Sequence, residues 1–183
     1  MGDIDKKSLS ETAGFFGGGD ILITIEAYDK KFILSAIEIW NEIVREGVAF
    51  PQENELDEIS GDEFFSAQSF TGLAKDDETG EILALYILHP NNVGRCGHIC
   101  NASYAVKSNL RGRHIGEFIV KHCIEKAREL GFKILQFNAV VAENIHARHL
   151  YKRLGFVELG TIPGGFRMPD GTFADIVPQY LTL

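Results

Sequence analysis

An α+β (mixed α/β) fold is predicted by three observations on the sequence. Strand-like runs dominate the first half, helical and strand periodicities alternate through the middle, and strand patterns return at the end. The chain of 183 residues, 45% of them hydrophobic, has the size of one domain with one sizeable core. It is therefore expected to be a single domain over residues 1–183, with residues 1–20 as a flexible arm because "GFFGGGD" is its low-complexity patch.

The elements follow in order. "ILITIEAY" (Ile21 to Tyr28) is rich in β-branched residues and reads as a strand. From Asp29 to Glu46, Phe32, Ile33, Ala36, Ile37, Trp40, Ile43 and Val44 recur at helical spacing, with Gly47 as the stop. "SGDEFFSAQ" around Phe64 reads as a short helix. Two strands joined by an acidic, glycine-containing turn fill "FTGLAKDDETGEILALYILHP" and end before Pro90. Gly97 to Lys107 forms a further strand. Next comes the loop "NLRGRH" and a helix to about Leu130, capped by Gly131. Its buried stripe is Ile115, Phe118, Ile119, Cys123, Ala127 and Leu130, with Lys121, Glu125, Arg128 and Glu129 outside. "KILQFNAVV" is a strand, and "ENIHARHLYKRLGF" a short helix that Asn144 can N-cap and Gly155 can end. The tail reads as two strands around a turn at Asp170-Gly171.

Composition excludes several classes of function. A net charge of −8 argues against a broad nucleic-acid surface, although a local basic pocket stays compatible with it. The longest apolar run, Ile82 to Leu88, is too short for a bilayer, and the N-terminus has no apolar signal core. Lys6 stands where a myristoylation motif needs Ser or Thr. Three cysteines fit reduced thiols better than a disulfide framework. A cytoplasmic protein without nucleic-acid or membrane partners is expected.

The chemistry concentrates in the loop. Gly112 and Gly116 let backbone amides approach an anion closely, Lys107, Arg111 and Arg113 supply positive charge, and a helix N-terminus attracts phosphate. The spacing matches neither a Walker A loop nor the dinucleotide G-x-G-x-x-G. The plain alternative is an ordinary basic loop capping a core helix.

"YAVKSNLRGRHIGEFIV" closely resembles motif A of the GNAT N-acetyltransferase superfamily, with Arg111, Ile115 and Gly116 on the pattern and His114 where the first glycine would stand. "NIHARHLYKRLGF" resembles the second signature of the same superfamily, in the right order and separation. The resemblance implies a central, mostly antiparallel sheet with splayed middle strands flanked by helices. It implies acetyl-CoA as co-substrate. Tyr104, Ala105 and Val106 would pair with the pantetheine arm as another strand would. The amides of Gly112, Arg113, His114, Ile115, Gly116 and Glu117 would hold the diphosphate, and Asn144 would lie near the pantetheine when not serving as a helix cap. His114 costs about 1–2 kcal/mol if its position is left-handed and almost nothing if helical.

Acyl transfer to an amine needs a neutral nucleophile, an oxyanion stabiliser and an acid for the departing thiolate. By resemblance Tyr151 is that acid; the alternative is a core aromatic beside Leu150, Leu154 and Phe156. The superfamily's usual strand glutamate is replaced here by Cys100 and Ala139. Beside those gaps stand Asn101 and Asn138, and a strand asparagine in an apolar run is costly unless its amide is paired. They are either a hydrogen bond bridging splayed strands or substrate residues.

The second role is implied by a closer similarity. "CNASYAV", "RGRHIG" and "LGFKILQFNAVVAEN" are most similar to the fungal acetyltransferases of azetidine-2-carboxylate and related proline analogues. A small amine or amino or imino acid is then the expected acceptor. Same-fold and different-class alternatives are a protein N-terminal or lysine acetyltransferase and a non-catalytic acyl-CoA sensor. Cys96, His98 and Cys100 lack a fourth ligand and the usual zinc spacing, so no metal is expected. His146 and His149 read as solvated surface, and "QENELDEISGDE" as an exposed acidic loop that could attract a cationic substrate. A homodimer remains open.

Overall fold

The computed structural model describes residues 14–16 and 21–183. Of the expected N-terminal arm, Gly14–Phe16 (β1) pairs antiparallel with Ile21–Ala27 (β2); the rest of the arm lies outside the described residues. Asp29 caps a 3-10 turn at Lys30–Phe32 by accepting from the Lys31 N–H, so the first helix, α1, begins at Ile33 and runs to Glu46. Gly47 ends it at φ 65°, a left-handed position that a glycine takes without strain. The short helix α2 is Glu58–Ser66, started by a capping box between Asp57 and Ser60.

Phe70–Asp76 (β3), Ile82–Pro90 (β4) and Ile99–Val106 (β5) continue the sheet, each antiparallel to its neighbour. β4 is buried along Ile82–Leu88 because helices cover both faces of it. The helix α3, Ile115–Glu129, packs on one face, and α1 with α2 on the other. Of the stripe expected inside α3, Leu130 is corrected. It follows the last helical residue and is 46% exposed, while Val120 and Ile124 are buried in its place.

The next strand, β6, is only Ile134–Phe137, four residues shorter at its far end than the pattern to Val141 predicts. Asn138 onward leaves the sheet. Asn144 accepts from the Ala147 N–H at 3.2 Å and starts α4, Ile145–Arg153. The tail holds four strands rather than two: β7 (Val157–Glu158), β8 (Ile162–Arg167), β9 (Phe173–Ile176) and β10 (Gln179–Thr182). The turn at Asp170-Gly171 is where the sequence puts it, with Gly171 at φ 85° and Asp170 accepting from the Thr172 N–H at 2.9 Å. But β8 and β9 form a hairpin of their own, and β10 returns beside β6.

The main sheet is eight-stranded in the order β1-β2-β3-β4-β5-β6-β10-β7, antiparallel except between β5 and β6. Among the described residues no helix is long and apolar enough to cross a membrane.

Candidate active site

The parallel pair β5–β6 is joined only at Ile99↔Ile134 and Cys100↔Leu135. Beyond it the strands part. From Asn101 to Val106, β5 is bonded to β4 on one side and to no strand among the described residues on the other. An unpaired strand edge in the middle of a sheet is a row of free donors and acceptors, suited to an extended ligand that pairs as a strand would. Tyr104, Ala105 and Val106 are the last residues of that edge, and it leads directly to the loop before α3.

That loop has the open backbone that an anion cradle requires. Gly112 has φ 80°, and a β-carbon there would meet nothing within 4 Å. His114 is the N-cap of α3 at φ 63°, left-handed, and is the one non-glycine residue with positive φ among those described. It makes no side-chain cap, so the first N–H groups of α3, near Ile115, Gly116 and Glu117, face outward. At Gly116 an added β-carbon would find only Val106 Cγ2, at 3.9 Å. Among the described residues nothing else comes within 4 Å of that position.

The charged side chains do less here than their sequence positions imply. The Arg111 guanidinium binds Glu46 of α1 at 2.7 and 2.8 Å, and Lys107 binds Glu81 at 2.6 Å. Ser108 is held by Glu42, whose carboxyl is kept below its usual range first by the Ser108 hydroxyl. These bonds tie the loop to α1 and the sheet. Arg113 is exposed. Glu117 faces the cradle with a negative charge, but it binds Lys121 and Arg153 at 2.8 Å each, and those contacts lower its pKa. The backbone amides, more than the arginines, define the cradle.

On the α3 face of the seam lies Tyr151. Its ring packs against Phe137 at 4.6 Å, Phe156 at 5.4 Å and Tyr104 at 6.5 Å between centroids. Burial, with a contribution from the Cys123 thiol, pushes the Tyr151 phenol well above its ordinary pKa. The Tyr104 hydroxyl sits beside Cys123 without a hydrogen bond of ordinary geometry, and its pKa is raised too, first by burial. Tyr151 is thus a member of the aromatic core at the seam, with a phenol that burial keeps protonated.

On the other face are the amides. Asn101 and Asn138 do not bond each other. Each reaches Asn91, which follows β4 and is fixed by its own N–H to the Ile99 carbonyl at 2.8 Å. Asn138 donates to Asn91 Oδ1 at 2.7 Å and accepts from Asn91 Nδ2 at 3.1 Å; Asn101 donates to the same Oδ1 at 3.5 Å. Gln136 adds a donor to Asn138 Oδ1 at 2.9 Å. Asn91 escaped the sequence reading because "HPNNVG" has the composition of a turn. The signal that could have found it is its position, one residue past the β4 end that faces Cys100-Asn101. The gap residues behave differently from one another. Cys100 is fully buried and donates to the Ile134 carbonyl at 3.3 Å, and Ala139 packs on the hairpin.

The hairpin β8–β9 closes this face. Its root is bonded beside β6, through Val177 N–H to Val140 O, Ala142 N–H to Asp175 O and the Val141↔Ile176 bridge. Its tip reaches the end of α1, where Pro169 abuts Gly47 and Arg167 pairs with Glu53. Since α1 packs on β4 and β5, the hairpin crosses over the seam between β5 and β6. A cavity of about 450 Å³ lies between the tip and residues 44–53. Among the described residues no group of three His, Cys, Asp or Glu is placed to hold a metal ion.

This geometry has close parallels. The chain is 29% identical to the N-acetyltransferase aca1 of Schizosaccharomyces pombe, over 76% of this chain and 75% of that one. It superposes on a GCN5-related N-acetyltransferase from Kribbella flavida with a TM-score of 0.80 at 27% identity, covering 88% of this chain and 98% of the other. A Salmonella typhimurium acetyltransferase solved with its cofactor acetyl-CoA shares the fold at a TM-score of 0.81 and 18% identity, over 88% and 94% of the two chains. The profile of the Acetyltransferase (GNAT) family matches residues 35–156, which contain the seam, the cradle and Tyr151. The chain belongs to that family and is an N-acetyltransferase.

Proposed function

We propose that this enzyme transfers the acetyl group of acetyl-CoA directly to a small amine or amino or imino acid. The observation that carries the choice of acceptor is the hairpin. It runs from its root beside β6 to the end of α1 and so covers part of the amide face of the sheet, which favours a small acceptor over a peptide laid along an open groove. The proline-analogue branch that "CNASYAV" and "FNAVVAEN" resemble agrees with an acceptor of that size.

Acetyl-CoA, when bound, supplies an activated acyl carbon and a thiolate leaving group. The free edge of β5 at Tyr104, Ala105 and Val106 suits its pantetheine arm, and the open amides from Gly112 to Glu117 suit its diphosphate. Asn144 is committed to capping α4, so it contributes position more than a free amide. Asn101 and Asn138 hold the acceptor so that its nitrogen lies at near-attack distance. No carboxylate stands at Cys100 or Ala139, and the amine gives its proton to water or arrives neutral. Tyr151 returns a proton to the sulfur. A phenol above ~10 is a weak acid toward a thiolate near ~8.5 in water. Desolvation raises a thiol as it raises a phenol, so the mismatch narrows for a thiolate that departs inside a buried seam.

The test is thermal melting followed by an amine panel. Acetyl-CoA at a hundred times its dissociation constant stabilises by about 2.7 kcal/mol, a shift of roughly 5–10 °C for this size. Proline analogues and small amino acids should then release free thiol from acetyl-CoA. A wild-type protein with no shift, or one that acetylates only peptides, would overturn the proposal.

A further inference from the structure

We propose that Asn91 is a positioning residue for the acceptor, acting through Asn138 and Asn101; this rests on the small-acceptor reading above. Its amide oxygen takes a donor from each of the two, at 2.7 Å from Asn138 and 3.5 Å from Asn101, while its own N–H goes to Asn138 Oδ1 at 3.1 Å. An amide can be rotated by half a turn with little change in shape, so an isolated asparagine does not choose which end it offers a ligand. Here the choice is made. Gln136 and Asn91 both donate to Asn138 Oδ1, so turning that amide alone would place donors against donors, and the cluster is oriented as a set.

What the cluster leaves over defines the ligand. Asn138 keeps one N–H, Asn101 keeps one N–H, and the Asn101 oxygen accepts from none of the described residues. Two donors and an acceptor in one small area suit a molecule with a carboxylate or carbonyl oxygen close to an amine. All four amide side chains are neutral. A zwitterion of no net charge enters such a site without meeting a like charge, whereas a simple cation finds no counter-charge in it. The inference is therefore of substrate class, an α-amino or imino acid over a plain polyamine, set by a residue that itself need not touch the substrate.

The backbone supports this role. Asn91 directly follows Pro90, whose ring restricts the chain there, and its N–H is bonded to Ile99 O at 2.8 Å. The side chain thus projects from a fixed point at the place where β5 and β6 separate.

The experiment is a double-mutant cycle on the full chain, with an amino-acid acceptor found in the panel. Asn91→Ala should lower kcat/KM for that acceptor about ten- to a hundredfold, the size of effect of a mispositioned contact, and leave the acetyl-CoA melting shift as in wild type. Asn91→Ala in an Asn138→Ala background should cost less than it does alone, because only the contact with Asn101 is then left to lose. Asn91→Asp keeps the oxygen that both neighbours donate to, replaces the N–H given to Asn138 by a second oxygen and adds a negative charge. It should show an intermediate loss, and it decides the matter if the alanine variant melts too low to assay. Wild-type kcat/KM in either variant, or a loss that multiplies with that of Asn138→Ala, overturns the role of Asn91 alone. Wild-type protein that acetylates no small amino acid overturns the acceptor reading and this one with it.

Discussion

Pro169, at the tip of the β8–β9 hairpin, rests on Gly47 at the end of α1 so closely that a β-carbon on Gly47 would fall 2.5 Å from the Pro169 ring. Gly47 is also left-handed, at φ 65°. Two separate requirements, one conformational and one steric, meet at this residue. Gly47→Ala should cost about 1–2 kcal/mol for the backbone alone, and more because the hairpin must lift. A melting temperature lower by roughly 3–8 °C is expected. Pro169→Ala in the same chain should recover part of it. Unchanged melting in Gly47→Ala would show that the tip does not bear on α1.

The cradle gives a prediction of opposite sign. His114 holds φ 63° without a compensating side-chain cap, and glycine takes that conformation freely. His114→Gly should raise stability by about 1 kcal/mol and keep the acetyl-CoA shift. Gly116→Leu should also fold, because its β-carbon meets only Val106 at 3.9 Å, yet its side chain would fill the space over the helix end. Loss of the acetyl-CoA shift in that variant, with the melting temperature of the free protein preserved, is the expected pair of results. A retained shift in Gly116→Leu would move the diphosphate elsewhere.

How much of this was legible in the sequence depends on the range of the interaction. The helix ends at Gly47 and Gly131 and the cap at Asn144 are local, set by residues within one turn, and they stand where the pattern puts them. The pattern predicts β6 as far as Val141 because "NAVV" has the same β-branched character as a strand. What ends the strand is the departure of Asn138 toward Asn91, more than forty residues away in the chain. The tail's four strands are hidden for a related reason. Its one obvious turn hides the second event, the return of β10 to β6, which is a long-range pairing. In the site, the glycines and Tyr151 were readable because a motif holds them at fixed spacing. The engagement of Arg111 by Glu46 was not, since nothing local distinguishes a guanidinium that waits for a phosphate from one already paired.

The thiols should separate by burial. Cys96 is exposed, whereas Cys100 and Cys123 are buried and both have pKa values raised by desolvation, Cys100 to about 12. The thiolate is the reactive form. A disulfide reagent at pH 8 should therefore modify one thiol quickly in the native protein and the other two only on unfolding. Cys96→Ser should abolish the fast reaction. Two fast thiols would mean that the seam opens far enough to expose Cys100.

Alkaline stability follows from the same core. Tyr86, Tyr104, Tyr151, Cys100 and Cys123 all have raised pKa values in the folded protein, with burial as the first cause in each. Each group stays protonated when folded at a pH where the unfolded chain would release its proton. Their contribution is complete below the ordinary thiol and phenol values, about 8.5 and 10, and is lost as pH rises through them. His122 works at the other end. Burial and then Lys126 push its pKa down, and the Tyr86 hydroxyl lies 2.8 Å from its Nδ1. That favours a neutral imidazole accepting from the phenol, so stability should also fall as pH drops below about 6.5. His122→Gln should flatten the acid limb and leave the alkaline one. A melting temperature constant from pH 5 to 11 would contradict both assignments.

Tyr151 offers the sharpest test of mechanism, because packing and proton transfer can be separated in one substitution. Tyr151→Phe keeps the contacts with Phe137 and Phe156 and removes only the hydroxyl. If the residue were a core aromatic alone, turnover would be unchanged and stability unaltered or slightly raised, since a buried polar group is lost. If it protonates the departing thiolate, kcat should fall by about ten- to ten-thousandfold with acetyl-CoA binding little changed. The pH profile sharpens the distinction. Burial holds the phenol protonated beyond its ordinary range, so the wild-type enzyme should show no loss of the acid form up to about pH 10. The leaving group supplies an independent reading: a thioester with a more acidic thiol needs less help in departing. The variant should therefore recover much of its rate with such a donor, and the wild type should gain little. Equal gains in both proteins would return Tyr151 to the core and leave the proton to water.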